Sequence, residues 1–310
     1  MVRILEDAQL SEQLDAARAV AWVREAVVAA HDGRLVAPPR VDATLGGGVL
    51  RYTAGELVGE WFGYRSYDTI VGGEQVVVVH RADDGRVAGI AVGSELGPRR
   101  TGAIGAVAVD ALAPAAAATL GLVGTGRQAW TQAWAIASVR ELAQVRVHGR
   151  DTVRRAAFVA RLRSELGVAA VAAESVRAAV DGTDLVVLAT ASPTPVLEPG
   201  WVAPGAFVST LGPKQVGRHE FGLDLVDAAA LVVSDSPAQL RAYDPPGILA
   251  GTPHLDRVVH LGSVLGQRPA ASDGITVFLS VGLAGTEAYL LARLLGVGGP
   301  DRRISHSQAT

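Results

Sequence analysis

The segment Gly121-Leu122-Val123-Gly124-Thr125-Gly126-Arg127-Gln128-Ala129 sets small residues at the spacing G-x-G-x-x-A. That spacing suits a loop that cradles a pyrophosphate. Gly124 permits a tight turn, Gly126 lets the phosphates approach the backbone, and Ala129 lets helix and strand pack closely. A helix opening at Gly126 turns unpaired N–H groups and the positive end of its dipole toward the anion. Thr125, Arg127 and Gln128 complete the loop, Arg127 adding a cation. In a chain with 36 glycines the pattern alone is weak. Its context strengthens it: an apolar strand precedes it, an amphipathic helix follows, and a second strand arrives on schedule.

The end of that second strand reports on the cofactor. NAD-binding folds usually carry an acid there for the ribose hydroxyls. Here the chain reads Val147-His148-Gly149-Arg150-Asp151-Thr152. Arg150 stands near the acidic position and suits a 2′-phosphate, because guanidinium grips phosphate in a fork. Thr152 adds a hydroxyl. NADP(H) is therefore favoured. NAD(H) stays open, with Asp151 as the ribose ligand. Thr190, Ala191 and Ser192 end the fourth strand of the alternating pattern, where such loops line the ligand crevice; they are expected on the nicotinamide side.

Among 28 basic side chains there is one lysine, Lys214. Either one lysine survived in a chain whose basic residues drifted to arginine, or position 214 needs an amine whose pKa can move, which guanidinium cannot supply. There are no cysteines, which excludes disulfides, thiolate metal sites and a cysteine nucleophile. His254 and His260 lack a third ligand at metal spacing, so no metal is expected. A net charge of −3 offers no basic surface for nucleic acid. The acidic start Glu6-Asp7 and the interrupted apolar stretches near 107–123 and 279–297 do not read as a signal peptide or as membrane spans, so a cytoplasmic protein is expected.

These residues need elements to hold them. Periodicity predicts a helix over 15–30, stopped by Asp32-Gly33. A strand-rich stretch follows: 41–53 with Gly46-Gly47-Gly48 inside it, then 75–80 and 87–92 around the turn Asp83-Asp84-Gly85, which predicts an antiparallel sheet. A helix is expected over 100–112. From there strands (120–123, 144–148, 169–172, 185–190, 207–210, 231–234) alternate with helices (128–139, 152–166, 175–180), which predicts a Rossmann-type, doubly wound parallel sheet. Residues 275–297 read as one long apolar helix.

Taken in order, several segments resemble the ornithine cyclodeaminase/mu-crystallin family of NAD(P)-dependent enzymes: Pro39-Arg40, Arg100-Thr101 opening an Ala-rich helix, Gly124–Ala129, Ala179-Val180-Asp181-Gly182-Thr183-Asp184, Trp201-Val202-Ala203-Pro204-Gly205-Ala206, and Thr276-Val277-Phe278-Leu279-Ser280-Val281-Gly282. The resemblance covers nearly the whole chain. It implies a homodimer of α/β fold, with a dinucleotide domain (113–274) inserted into a second α+β domain built from 1–112 and 275–310. It also implies hydride transfer at an amino- or imino-bearing carbon next to a carboxylate. Arg40 and Arg100 match the family's carboxylate ligands, and Thr101 falls at the cofactor.

The chain departs from the family pattern at three places. Arg65 stands where a lysine is common, Lys214 where cyclodeaminases carry an aspartate, and Leu279 where Thr-Val-Phe-Lys-Ser has its lysine. Arg65 can hold a carboxylate but is a poor proton shuttle. Lys214 is the candidate acid/base, its pKa expected to fall beside Arg40, Arg65 and Arg100. The expected activity is reduction of a small imine, or dehydrogenation of an amino acid. Two alternatives are a cyclodeaminase-like lyase that recycles its cofactor and a non-catalytic, NADPH-loaded binding protein.

Overall fold

The computed structural model describes residues 2–266 and 274–298; the expected domain segments 267–273 and 299–310 lie outside the described residues. The chain divides into two compact units. Of the described residues, one comprises 2–15, 32–97 and 284–298. The other comprises 16–31 and 98–283.

The first unit is built on a seven-stranded sheet ordered β1-β7-β6-β5-β4-β2, with β3 pairing β4. Its strands are β1 (Arg3–Glu6), β2 (Leu35–Val36), β3 (Val41–Leu45), β4 (Gly48–Leu57), β5 (Trp61–Asp68), β6 (Gln75–Arg81) and β7 (Val87–Gly93). Helix α1 is Asp7–Gln13. All pairings are antiparallel except β1 with β7. The Gly46-Gly47 turn folds 41–53 into the β3–β4 hairpin. Strand β5 alternates buried and exposed residues: Trp61, Gly63 and Arg65 inward, Phe62 and Tyr64 outward. That is the two-residue period of a sheet covered on one face.

The second unit carries α2 (Ala16–His31), α3 from Pro98 onward (Leu96–Leu112) and an eight-stranded, wholly parallel sheet. Along the chain run β8 (Thr119–Val123), α4 (Arg127–Ile136), β9 (Gln144–His148), α5 (Thr152–Leu166), β10 (Ala170–Ala172), α6 (Val176–Val180), β11 (Leu185–Leu188) and β12 (Phe207–Thr210). A short antiparallel pair follows, β13 (Lys214–Gln215) with β14 (Arg218–His219). Then come α7 (Leu223–Asp227), β15 (Ala229–Ser234), α8 (Pro237–Arg241), β16 (Val258–His260), α9 (Leu261–Val264) and β17 (Ile275–Leu279). The spatial order is β10-β9-β8-β11-β12-β17-β15-β16. Sequence order reverses between β8 and β11, which makes the carboxyl ends of those two strands the ligand crevice of an open α/β sheet.

Two expectations need correction. Residues 275–297 are not one helix. Ile275–Leu279 is a strand wedged between β12 and β15, and only Thr286–Leu295 is helical (α10). A continuous apolar run is equally a central parallel strand, buried on both faces, and here Val277, Phe278 and Leu279 are fully buried. The domain boundaries shift accordingly: residues 16–31, 98–112 and 275–283 group with the parallel sheet, while α10 packs on β4 to β7 of the other unit.

Candidate active site

The fingerprint loop runs from β8 into α4. Gly124 donates its N–H to the carbonyl of His148 on β9 (2.8 Å), and Ala189 donates to Val123 (2.8 Å). The loop thus lies between the ends of β9 and β11. Gly124 has φ +125°, and a Cβ there would run into the Ala189 carbonyl; only glycine fits. Gly126 is the N-cap of α4, with no side-chain cap, φ −91°, and nothing within 4 Å of an added Cβ. An uncapped helix start with open space before it is what a pyrophosphate requires, so the residues present fit a dinucleotide. Ala129 is fully buried against the sheet, as close packing demands. Thr125 lies against Gly149, Gln128 is partly buried, and Arg127 is exposed.

Arg150 and Thr152 are both exposed at the start of α5. Asp151 between them is the N-cap, accepting from the N–H groups of Val153 and Arg154 (3.0 Å each). That role competes with the alternative of Asp151 as a ribose ligand. Arg155 faces inward, toward Glu174 (3.3 Å) and the Gly149 carbonyl (3.4 Å).

At the end of β11, Thr190 donates its N–H (3.1 Å) and hydroxyl (2.9 Å) to Glu220. Ser192 donates to the Thr190 hydroxyl (3.2 Å), and Ala191 is exposed between them. Glu220 also accepts from the Gly212 N–H. The Gly212 carbonyl in turn accepts from Lys214 Nζ (3.0 Å). Lys214 is 3% exposed and Glu220 fully buried. Burial pushes the Glu220 carboxyl up from its ordinary range, against the opposing charge of Lys214 and its N–H donors. Lys214 therefore has an acidic neighbour in its own unit, whereas the sequence reading gave it cationic neighbours only. That adjacency became legible only once β13, which carries Lys214, paired with β14, which ends just before Glu220.

Arg100, 5% exposed, opens α3 with its guanidinium against Gly282, where a Cβ would stand 2.7 Å from Nη1. Thr101, one residue on, gives its carbonyl to Gln132 of α4 (3.0 Å).

In the other unit, Arg40 is partly buried just before β3. Arg65 is buried and already engaged. Nη1 meets Glu287 (2.6 Å), Nε and Nη2 meet Gln75 (3.1 and 2.8 Å), and the guanidinium lies 4.1 Å from the Tyr67 ring centroid. Arg65 thus has a carboxylate partner within the chain, Glu287, that the residue pattern around position 65 did not announce. Sequence reasoning missed Glu287 as a partner, although a lone acid in an apolar helix signals a buried pairing. Asp68 caps the turn, accepting from the N–H groups of Ile70, Val71 and Gly72. Among the described residues no cluster of His, Asp or Glu could hold a metal, and no helix is long and apolar enough to cross a membrane.

A parallel sheet whose order reverses beside an open glycine loop defines a Rossmann-type dinucleotide-binding protein. A profile of the ornithine cyclodeaminase/mu-crystallin family matches residues 4–294, and the chain belongs to that family. It is 29% identical over 289 residues to the Delta(1)-pyrroline-2-carboxylate/Delta(1)-piperideine-2-carboxylate reductase of Azospirillum brasilense, covering 83% of this chain and 90% of that one. It is 32% identical over 206 residues to a Rhizobium meliloti protein with a provisional dehydrogenase name; that alignment spans 66% of this chain but only 60% of the relative. The fold matches Delta(1)-pyrroline-2-carboxylate reductase of Thermococcus litoralis, solved in complex with NADH and L-proline, with TM-score 0.83, 23% identity, and coverage of 96% and 99%.

Proposed function

We propose that this chain is an NAD(P)H-dependent imine reductase that prefers NADPH and acts on a small imine carrying a carboxylate next to its C=N carbon. The observation that carries the reading is the uncapped start of α4 at Gly126, open to a ligand at the reversal point of the sheet. Kinship with a reductase of cyclic imino acids supports the substrate class. The 2′-phosphate falls to Arg150, exposed directly after β9, with Thr152 beside it.

When bound, the nicotinamide supplies the hydride for the imine carbon. The chain's own residues do the rest. Gly124 to Ala129 hold the pyrophosphate through backbone N–H groups, with Arg127 as cation. Thr101, Thr190, Ala191 and Ser192 border the cofactor. Arg100 binds the substrate carboxylate in a bidentate grip. Lys214, whose Nζ donates to the Gly212 carbonyl (3.0 Å), delivers the proton to the imine nitrogen. Arg65, tied to Glu287, braces the sheet that carries it.

The active form is taken as a homodimer. The outward face of β5 presents Phe62 and Tyr64, 41% and 38% exposed, and Phe62 stacks on His80 at 4.8 Å. Such an apolar face is typical of a protein contact. Light scattering should return twice the chain mass. A cytosolic setting belongs to the reading, since an NADPH-driven reduction draws on the cytosolic nicotinamide pool.

The test is to mix protein and NADPH with Δ1-piperideine-2-carboxylate and follow absorbance at the nicotinamide band. Stoichiometric NADPH consumption supports the reading. Turnover of ornithine to a cyclic product without net NADPH change would mean a lyase, and binding without any turnover a carrier; either result overturns it.

A further inference from the structure

Asp235 is the residue immediately after β15, and its side chain is fully buried. It serves no strand and caps no helix. Instead its carboxylate gathers three consecutive backbone N–H groups from the turn after β17: Val281 to Oδ1, Gly282 to Oδ2 and Leu283 to Oδ2, each at 2.8 Å. Three N–H groups converging on one buried acid define the path of that turn tightly, because each would be left buried and unsatisfied without it. The path brings Gly282, at φ +87°, against the Arg100 guanidinium, so close that a Cβ would stand 2.7 Å from Nη1 and 3.5 Å from Nη2. The turn is therefore a wall for Arg100, and Asp235 sets where the wall stands.

The end of β15 is itself fastened. Ser234 donates its hydroxyl to the Leu279 carbonyl of β17 (2.8 Å), and Ser236 donates its N–H to Ser234 (3.2 Å). On the neighbouring strand β16, His260 pairs in register with Ser234, and its Nδ1 accepts from Gly262 (3.0 Å). Asp235 thus projects from a fixed strand end onto a turn that has glycine where Arg100 needs room.

We infer that Asp235 is a positioning residue for substrate recognition: by clamping the 281–283 turn it fixes the Arg100 guanidinium in the orientation that grips the substrate carboxylate. Its part in substrate binding rests on the imine-reductase reading; its part in placing Arg100 does not. Its carboxylate acts through the turn it clamps. Removing its charge should weaken carboxylate binding and leave the dinucleotide loop untouched.

The experiment compares wild type, Asp235→Asn, Arg100→Lys and the double variant in four readouts. These are a crystal structure of Asp235→Asn, NADPH affinity by fluorescence, L-proline affinity of the NADPH complex by calorimetry, and KM and kcat on the cyclic imine. Asparagine keeps the shape but turns one oxygen into a donor facing N–H groups. The expected results are an Arg100 guanidinium shifted off Gly282, NADPH affinity within twofold, and L-proline affinity and KM worsened at least tenfold with a smaller change in kcat. In the Arg100→Lys background Asp235→Asn should cost less than a further twofold, because the group it positions is gone. Gly282→Ala, which presses on Arg100 from the other end of the same contact, should reproduce the KM effect. An Arg100 that stays against Gly282 in Asp235→Asn overturns the inference whatever the activity. Full additivity with Arg100→Lys overturns it as well. A wild type that reduces no imine and binds no L-proline sinks the reductase reading and the substrate half of this inference, while the crystal structure still decides whether Asp235 places Arg100.

Discussion

Gly126→Ala separates folding from cofactor binding. At Gly126 the backbone has φ −91° and ψ −176°, which alanine adopts without strain, and nothing lies within 4 Å of the added methyl. Alanine restricts the unfolded chain, a gain of roughly 0.4–1 kcal/mol. It is a poorer N-cap than glycine by about the same amount. The two nearly cancel, so unfolding should move by no more than about 0.5 kcal/mol, or roughly 2 °C in Tm for a chain of this size. Binding should respond quite differently. The methyl enters the space through which phosphates reach the α4 N–H groups. A hundredfold weaker NADPH affinity, about 2.7 kcal/mol, is expected. The assay is a fluorescence titration, with the stacked pair Trp130 and Trp134 on α4 as reporters. Gly124→Ala is the contrasting control. Its φ of +125° and the Ala189 carbonyl make any side chain strained, so stability itself should fall by about 1–3 kcal/mol. If Gly126→Ala binds NADPH within twofold of wild type, the phosphates do not lie at this helix start and the argument from the open N-cap is wrong.

Arg150→Ala should weaken NADPH at least tenfold and NADH less than twofold, since a charge-assisted bond to phosphate is worth about 1.5–3 kcal/mol; equal loss of both cofactors would remove Arg150 from the 2′-phosphate. Arg65→Ala leaves Glu287 buried without its cation at 2.6 Å, so denaturant unfolding should show a loss of about 3–5 kcal/mol, whereas a loss below 1 kcal/mol would mean that the pair is not held in solution. Burial, and secondarily the charge of His31, lowers the pKa of His260 below its ordinary value of about 6.5, against the opposing Asp235. The folded state therefore binds this proton less readily than the unfolded chain. Its contribution to stability is complete above pH 6.5 and is lost as pH falls through that value. Tm should drop between pH 7.5 and 5.5, and His260→Asn, which keeps an acceptor for the Gly262 N–H, should flatten that drop.

Local pattern was enough for the dinucleotide unit. Strand β9 and helix α5 fall where periodicity puts them. The demands on Gly124 and Ala129 are set by neighbours one turn or one strand away, and so they are written into a nine-residue motif. The membership in the ornithine cyclodeaminase/mu-crystallin family was also legible, from short segments in order. What lay beyond reach depends on contacts across long stretches of chain. Ile275–Leu279 is apolar enough for either helix or strand, and becomes a strand because β12 and β15 leave a gap between them. Arg65 has Glu287, 222 residues away, as a partner that no local pattern announces. Lys214 reads as a lysine among arginines until β14 brings Glu220 alongside. Asp235 reads as an ordinary strand end, and only the return of the chain 46 to 48 residues later gives its carboxylate three N–H groups to hold. A motif carries the backbone shape a ligand needs, whereas the partners of a buried charge are chosen by the tertiary fold, because desolvation forces each such group to find its complement wherever the chain has brought one.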